Sequence, residues 1–128
     1  MNSSNEDSLL TLFLPDGILD YFDIIDHQIV DREERVYRKT LTIHLQEKNI
    51  IPSEFENYQI KGAGFMPARV IDDYPIRNML VKLCIKRRRW EVSINDKPKK
   101  VTRNWNLVAQ GCRMSEDYST FLKGISRF

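Results

Sequence analysis

The chain is 128 residues long, 41% hydrophobic, 10% aromatic and 30% charged, which fits one ordinary globular domain and excludes two independent cores or a fibrous or disordered chain. No apolar run approaches the roughly 20 residues of a membrane-spanning helix, and two cysteines, Cys84 and Cys112, are too few for a disulfide-dense scaffold or a four-cysteine zinc ribbon. Net charge is only +2, but it is unevenly spread. Residues 1–35 hold nine acids against Arg32 and Arg35, whereas residues 82–103 hold nine bases against Glu91 and Asp96. That split points either to a nucleic-acid surface in the second half or to an acidic half folded against a basic one.

The opening MNSSNEDSLLTLFLPDG has no basic leader and no small-residue cleavage site, so no secretory signal is expected and the expected location is cytoplasmic. Ser4 or Asn5 can cap a short helix reaching Leu14. The run Leu9, Leu10, Leu12, Phe13 and Leu14 is too continuous to be one-sided, so the rest of the chain or a partner must bury it. After Pro15-Asp16-Gly17, a helical turn over 16–20 is predicted, then a strand over about 22–30 with Phe22, Ile24, Asp26, Gln28 and Val30 on one face. A polar turn at Asp31-Arg32-Glu33-Glu34 leads into a second strand over Lys39–Gln46, where Leu41, Ile43 and Leu45 oppose Thr40, Thr42, His44 and Gln46. The two form a hairpin.

Glu47-Lys48-Asn49 ends that strand, and Pro52-Ser53-Glu54 opens a helical turn. Gly62 and Gly64 mark a loop, Phe65–Asp72 is extended with Pro67 confining it to an edge or bulge, and Asp73-Tyr74-Pro75 turns the chain. In MLVKLCIKRRRWEVSI the apolar positions Met79, Val81, Leu83 and Ile85 are odd, but Trp90, Val92 and Ile94 are even. A two-residue period changes parity on one face only through an extra residue, so a bulge or kink belongs within Lys86–Arg89. Asn95-Asp96-Lys97-Pro98 reads as a turn, Lys99–Leu107 as a return strand, and Ser115-Glu116-Asp117 as the cap of a helix over 114–126 with Tyr118, Phe121, Leu122 and Ile125 on one face. The expected fold is a single α+β domain over 1–128. It comprises an N-terminal helix plus hairpin over 1–50, a basic region over 58–110 with a long ribbon-like hairpin over about 78–107, and the C-terminal helix.

The chemistry-bearing residues favour binding over catalysis. Lys82, Lys86, Arg87, Arg88, Arg89, Lys97, Lys99, Lys100 and Arg103 are the candidate DNA-contacting set, with Trp90 and Trp105 as supporting aromatics. Contacts of this kind position a protein on phosphate and carry no sequence information by themselves. The opposing reading is a solvated basic sheet edge that discourages aggregation. His27 and His44 have no cysteine or acid at motif spacing. Cys84 and Cys112 read as incidental thiols, the acid pairs Asp23/Asp26 and Asp72-Asp73 as turn residues, and Gly62-Ala63-Gly64 as too little for a phosphate loop. No catalytic residue, metal or cofactor is expected.

The segments SLLTLFLPDGILDYFDI, LTIHLQEKNIIPSEF, GFMPARVIDDYPIRNMLVKLCIKRRRW and RNWNLVAQGCRMSEDYSTFLKGISRF resemble, over nearly the whole chain, the short N-terminal-region proteins of bacterial insertion-sequence transposases. DYPIRNMLVKLCIKRRRW and FLKGISRF carry most of that likeness. Asp73-Tyr74-Pro75, Val81, Leu83, Arg88, Arg89 and Trp90 are also similar to the extended segment between the two cysteine knuckles of a related transposase's zinc-ribbon head. The knuckles themselves, which would fall around 57–64 and after Trp90, are missing. The resemblance implies a ribbon-like hairpin without its metal and a non-catalytic role. That role is positioning transposon-end DNA, docking to a catalytic subunit encoded in the next reading frame, or both; the ending at Arg127-Phe128 without a polar tail fits such an arrangement. The alternative is an interaction module that binds no DNA.

Overall fold

The computed structural model describes residues 17–105, together with Leu9 and Leu14. Within these residues seven strands follow one another: β1 (Phe22–Asp31), β2 (Lys39–Glu47), β3 (Gln59–Phe65), β4 (Arg69–Ile76), β5 (Met79–Lys86), β6 (Arg88–Ile94) and β7 (Lys97–Thr102). They form a four-stranded sheet in the order β1-β2-β5-β4 and a three-stranded sheet in the order β3-β6-β7.

The two central strands of the larger sheet show why the chain folds this way. In β2 the side chains of Leu41, Ile43, Leu45 and Glu47 are buried, and the residues between them are half-buried. β5 repeats the pattern with Val81, Leu83 and Ile85. The strands run parallel in a register that sets Leu41 beside Val81, Ile43 beside Leu83 and Leu45 beside Ile85. Three apolar pairs thus form the middle of the core, and Ile18, Phe22 and Trp105 join them. Each fully buried aliphatic there contributes about 1.5–3 kcal/mol. Trp105 stacks on Phe22 at 5.2 Å between ring centroids and meets Tyr21 edge-on at 5.3 Å. The 3-10 turn over Ile18–Asp20 leads directly into Tyr21 and into Phe22 at the start of β1.

The parity change after Ile85 is the pivot of the fold. β5 ends at Lys86, Arg87 stands outside any strand, and β6 begins at Arg88 in the other sheet. The predicted kink is therefore a crossing between sheets, and it puts Trp90 and Val92 into a second buried face. This corrects the single ribbon-like hairpin over 78–107, because β5 pairs with β4 while β6 pairs with β7. The β6–β7 turn lies at Asn95 and Asp96, both with positive φ (52° and 61°). Two such residues match the right-handed twist of the strands that flank them.

Other expectations also change. The class is mostly β rather than α+β: among the described residues no helix reaches seven residues, and the helical turns Ile18–Asp20 and Ser53–Phe55 are three residues each. The helices expected over 4–14 and 114–126 lie outside the described residues, save for Leu9 and Leu14. Gly62 and Gly64 sit in β3 rather than in a loop, with the pairing to β6 slipping between Gly62 and Phe65; glycine at φ 80° is what allows Gly64 to adopt that backbone. Asp73-Tyr74-Pro75 continues β4 as a bulged edge, and the turn comes at Arg77-Asn78. In β1 the register slips between Ile24 and Asp26. This places His27 and Ile29, rather than Asp26 and Gln28, beside Ile43 and Leu41.

Candidate nucleic-acid interface

The nine basic candidates fall into two groups. The first is organised by a carboxylate that the sequence pattern marks only as a strand end. Glu47 is the next inward-facing position after Leu41, Ile43 and Leu45, and it is 1% exposed. One carboxylate oxygen, Oε1, accepts the backbone N–H of Arg88 at 2.9 Å, while Oε2 accepts Arg103 Nε at 3.1 Å. Arg88 Nε donates to the Glu47 carbonyl oxygen at 3.3 Å. Where β5 leaves its ladder, Glu47 therefore supplies the acceptor that a neighbouring strand would have supplied, and the backbone N–H of Met66 donates to the Arg87 carbonyl oxygen at 2.8 Å. Backbone groups freed by the crossing are thereby satisfied.

Arg103 is 8% exposed. Its guanidinium donates through Nη2 to the carbonyl oxygen of Ile50 and lies over the rings of Tyr21, Trp105 and Trp90 at 4.9, 5.7 and 5.9 Å. Planar guanidinium heads suit such a site because they stack and donate in a fixed fork at once. Arg87 is 7% exposed and donates to Thr102 Oγ1 at 3.3 Å. Burial pushes the Glu47 carboxyl up, against the pull of the Arg88 N–H, Arg103 and Arg87. It also pushes the Arg87 guanidinium down, against the pull of Glu47. Trp90 Nε1 donates to Asn49 Oδ1 at 3.0 Å, so its role is to hold the strand end near this cluster. Trp105 is wholly buried in the core.

The second group is on the surface. Lys82 meets Asp72 directly across the β4–β5 ladder at 2.7 Å. Lys86 lies over the Phe65 ring at 5.4 Å, where Arg88 of the first group also stacks at 4.5 Å, and Arg89 is half-buried, its Nε without an acceptor among the described residues. Lys97, Lys99 and Lys100 are exposed on β7, an outer strand of the smaller sheet. Lys99 stands opposite Val92 and Lys97 opposite Ile94, so alternation puts both on the Trp90 face. Lys100 stands opposite Glu91 on the other face, where Glu91 also pairs with Lys61 of β3 at 3.3 Å. The nine cations thus do not gather on one surface; three are drawn to Glu47, and three lysines stand out at the β6–β7 hairpin.

The residues set aside as non-catalytic are spread as follows. His44 Nε2 contacts Gln28 Nε2 at 3.0 Å on the outer face of the larger sheet, with Cys84 beside it in register. His27 lies on the opposite face, and Asp73 accepts the N–H of Tyr74. Cys112 lies outside the described residues. Among the described residues no helix is long and apolar enough to cross a membrane. A signal for Glu47 does exist in the sequence: an acid on the inward parity of an apolar strand needs a buried countercharge. Comparison with family models, curated proteins and solved structures finds no match.

Proposed function

We propose that this chain is the non-catalytic N-terminal region of an insertion-sequence transposase, positioning transposon-end DNA through the β6–β7 hairpin while a separate catalytic subunit performs the chemistry. The observation that carries the reading is the row of exposed Lys97, Lys99 and Lys100 on one outer strand, none of them in an ion pair among the described residues. The family resemblance gives it a second support. The two stretches where zinc knuckles would fall, around 57–64 and after Trp90, are β3 and the β6–β7 hairpin, which are neighbours in one sheet. A hydrogen-bonded ladder thus joins the segments that a metal would clip together in the ribbon.

The DNA-contacting set accordingly narrows to Lys97, Lys99 and Lys100, with Lys86 and Arg89 nearer the junction. Reversing Arg87, Arg88 and Arg89 together would be a test of folding, because the first two belong to the Glu47 cluster. The lysines make the cleaner test. The Lys97→Glu/Lys99→Glu/Lys100→Glu variant should bind end-derived duplex DNA more weakly in an anisotropy titration. Its log–log salt slope should be shallower by about 1 for each phosphate that the variant no longer neutralises. Superimposable titrations of the variant and the native protein would end the proposal.

A further inference from the structure

Among the described residues each sheet has two outer strands, and three of the four are blunted. β7 carries Pro98 among its three lysines, β4 carries Pro75 within a register slip, and β3 slips at its glycines. Proline, lysine and bulges are the devices that stop an outer strand from recruiting another chain. β1 has little of this protection. It is the longest of the described strands, ten residues without proline, lysine or arginine, and its one register slip lies near its start, at Ile24/Asp26. Beyond that slip Ile29 and Val30 are 54% and 55% exposed. Ile29 is also the outer end of an apolar row that runs through Leu41 to Val81.

We propose that the outer edge of β1, unpaired among the described residues, is a strand-addition site for an extended, cationic segment of a partner protein with aliphatic side chains at alternate positions. Backbone groups of the partner would pair with the outer N–H and C=O groups of β1, and an aliphatic side chain beside Ile29 would prolong the Val81–Leu41–Ile29 row. Charge selects the partner. β1 carries Asp23, Asp26 and Asp31 and no lysine or arginine; Lys48 lies 3.8 Å from Asp23 and Lys39 lies 2.8 Å from Asp31, which leaves Asp26 without a cation among the described residues. The strand itself offers a polyanion no lysine or arginine. A second copy pairing through β1 would bring three carboxylates from each strand to one seam, and like charges placed opposite each other destabilise a ladder. The inference rests on the part of the proposed function that leaves the chemistry to a separate catalytic subunit, and it is independent of the DNA-positioning part, since β1 and β7 belong to different sheets.

The test uses the full chain and a synthetic peptide of alternating lysine and valine. Its control is the same peptide with alternate amides N-methylated, which keeps the charge but removes the donors of one edge. The unmodified peptide should bind in an anisotropy titration and slow hydrogen exchange of the β1 amides, leaving those of β4 and β7 unchanged. The methylated peptide should bind at least tenfold more weakly. Ile29→Lys and Val30→Lys should weaken the unmodified peptide to a similar degree while leaving duplex-DNA binding as it was. Equal binding of the two peptides, protection outside β1, or a native chain that self-associates through β1 in sedimentation would each overturn the proposal. The exchange measurement needs no variant, so a folding defect in either substitution leaves it decisive.

Discussion

Arg87, Arg88 and Arg103 at the crossing between sheets and Lys97, Lys99 and Lys100 at the hairpin are drawn from one basic stretch of sequence, yet they are held in opposite ways. The arginines surround a carboxylate that water does not reach, their heads stacked on rings or bonded to oxygens of the protein. The lysines stand in solvent on an outer strand. Linear charge density therefore misjudges the electrostatic footprint here, because part of it is spent inside the protein. Arginine keeps its charge in a partly dry site and donates in several directions at once, whereas a hydrated ammonium is better suited to loose contact with phosphate.

The largest expected effect separates the two groups by stability. Glu47→Ala removes the carboxylate that accepts the Arg88 N–H and Arg103 Nε and that pulls on Arg87. Removing one partner of a buried ion pair costs about 3–5 kcal/mol, to be read as a lowered urea midpoint. The triple lysine variant should stay within about 0.5 kcal/mol per site, as exposed substitutions usually do. If the two changes destabilise equally, the crossing is not held by Glu47.

A finer test uses pH. Because burial raises the folded-state Glu47 carboxyl above its ordinary value of 4.5, the unfolded chain releases this proton first. Stability from this group is complete below about that value and is lost as pH rises through the higher folded value, the reverse of ordinary acid denaturation. Native protein should therefore lose stability relative to Glu47→Gln as pH climbs from 4.5, at up to about 1.4 kcal/mol per pH unit within the window. A difference that is flat, or that grows in favour of the native protein, would mean that the arginines outweigh burial.

The parts of the fold legible in the sequence are those where a period of two is unbroken. Leu41, Ile43 and Leu45 define β2, and the odd-to-even change between Ile85 and Trp90 locates the crossing within the four residues Lys86–Arg89. What local pattern does not encode is the pairing partner. Nothing in Met79–Ile85 says that β5 lies parallel to β2 and antiparallel to β4. The two glycines of β3 read as a loop because propensity is weak where a ladder supplies the hydrogen bonds. Among the candidate site residues, the separation of arginines from lysines turns on Glu47, whose parity is readable but whose depth is not.

The smallest effect concerns Lys82, which is held in a surface ion pair. Its ammonium meets Asp72 at 2.7 Å across the ladder, but the Asp72 side chain is 80% exposed and that of Lys82 is 37% exposed, so solvent screens the pair. A double-mutant cycle with Lys82→Gln and Asp72→Asn should give a coupling of about 0.2–1 kcal/mol that shrinks as salt is added. Asp72→Asn alone also distinguishes the two uses of positive charge. It releases Lys82 without disturbing the core, so any phosphate-binding surface reaching as far as β5 would acquire another free cation and bind duplex DNA more tightly. Unchanged DNA binding in Asp72→Asn, beside a clear weakening in the hairpin lysine variant, would confine the interface to β6 and β7. Tighter binding would instead extend it across the junction, and the Glu47 cluster would then stand between two parts of one surface.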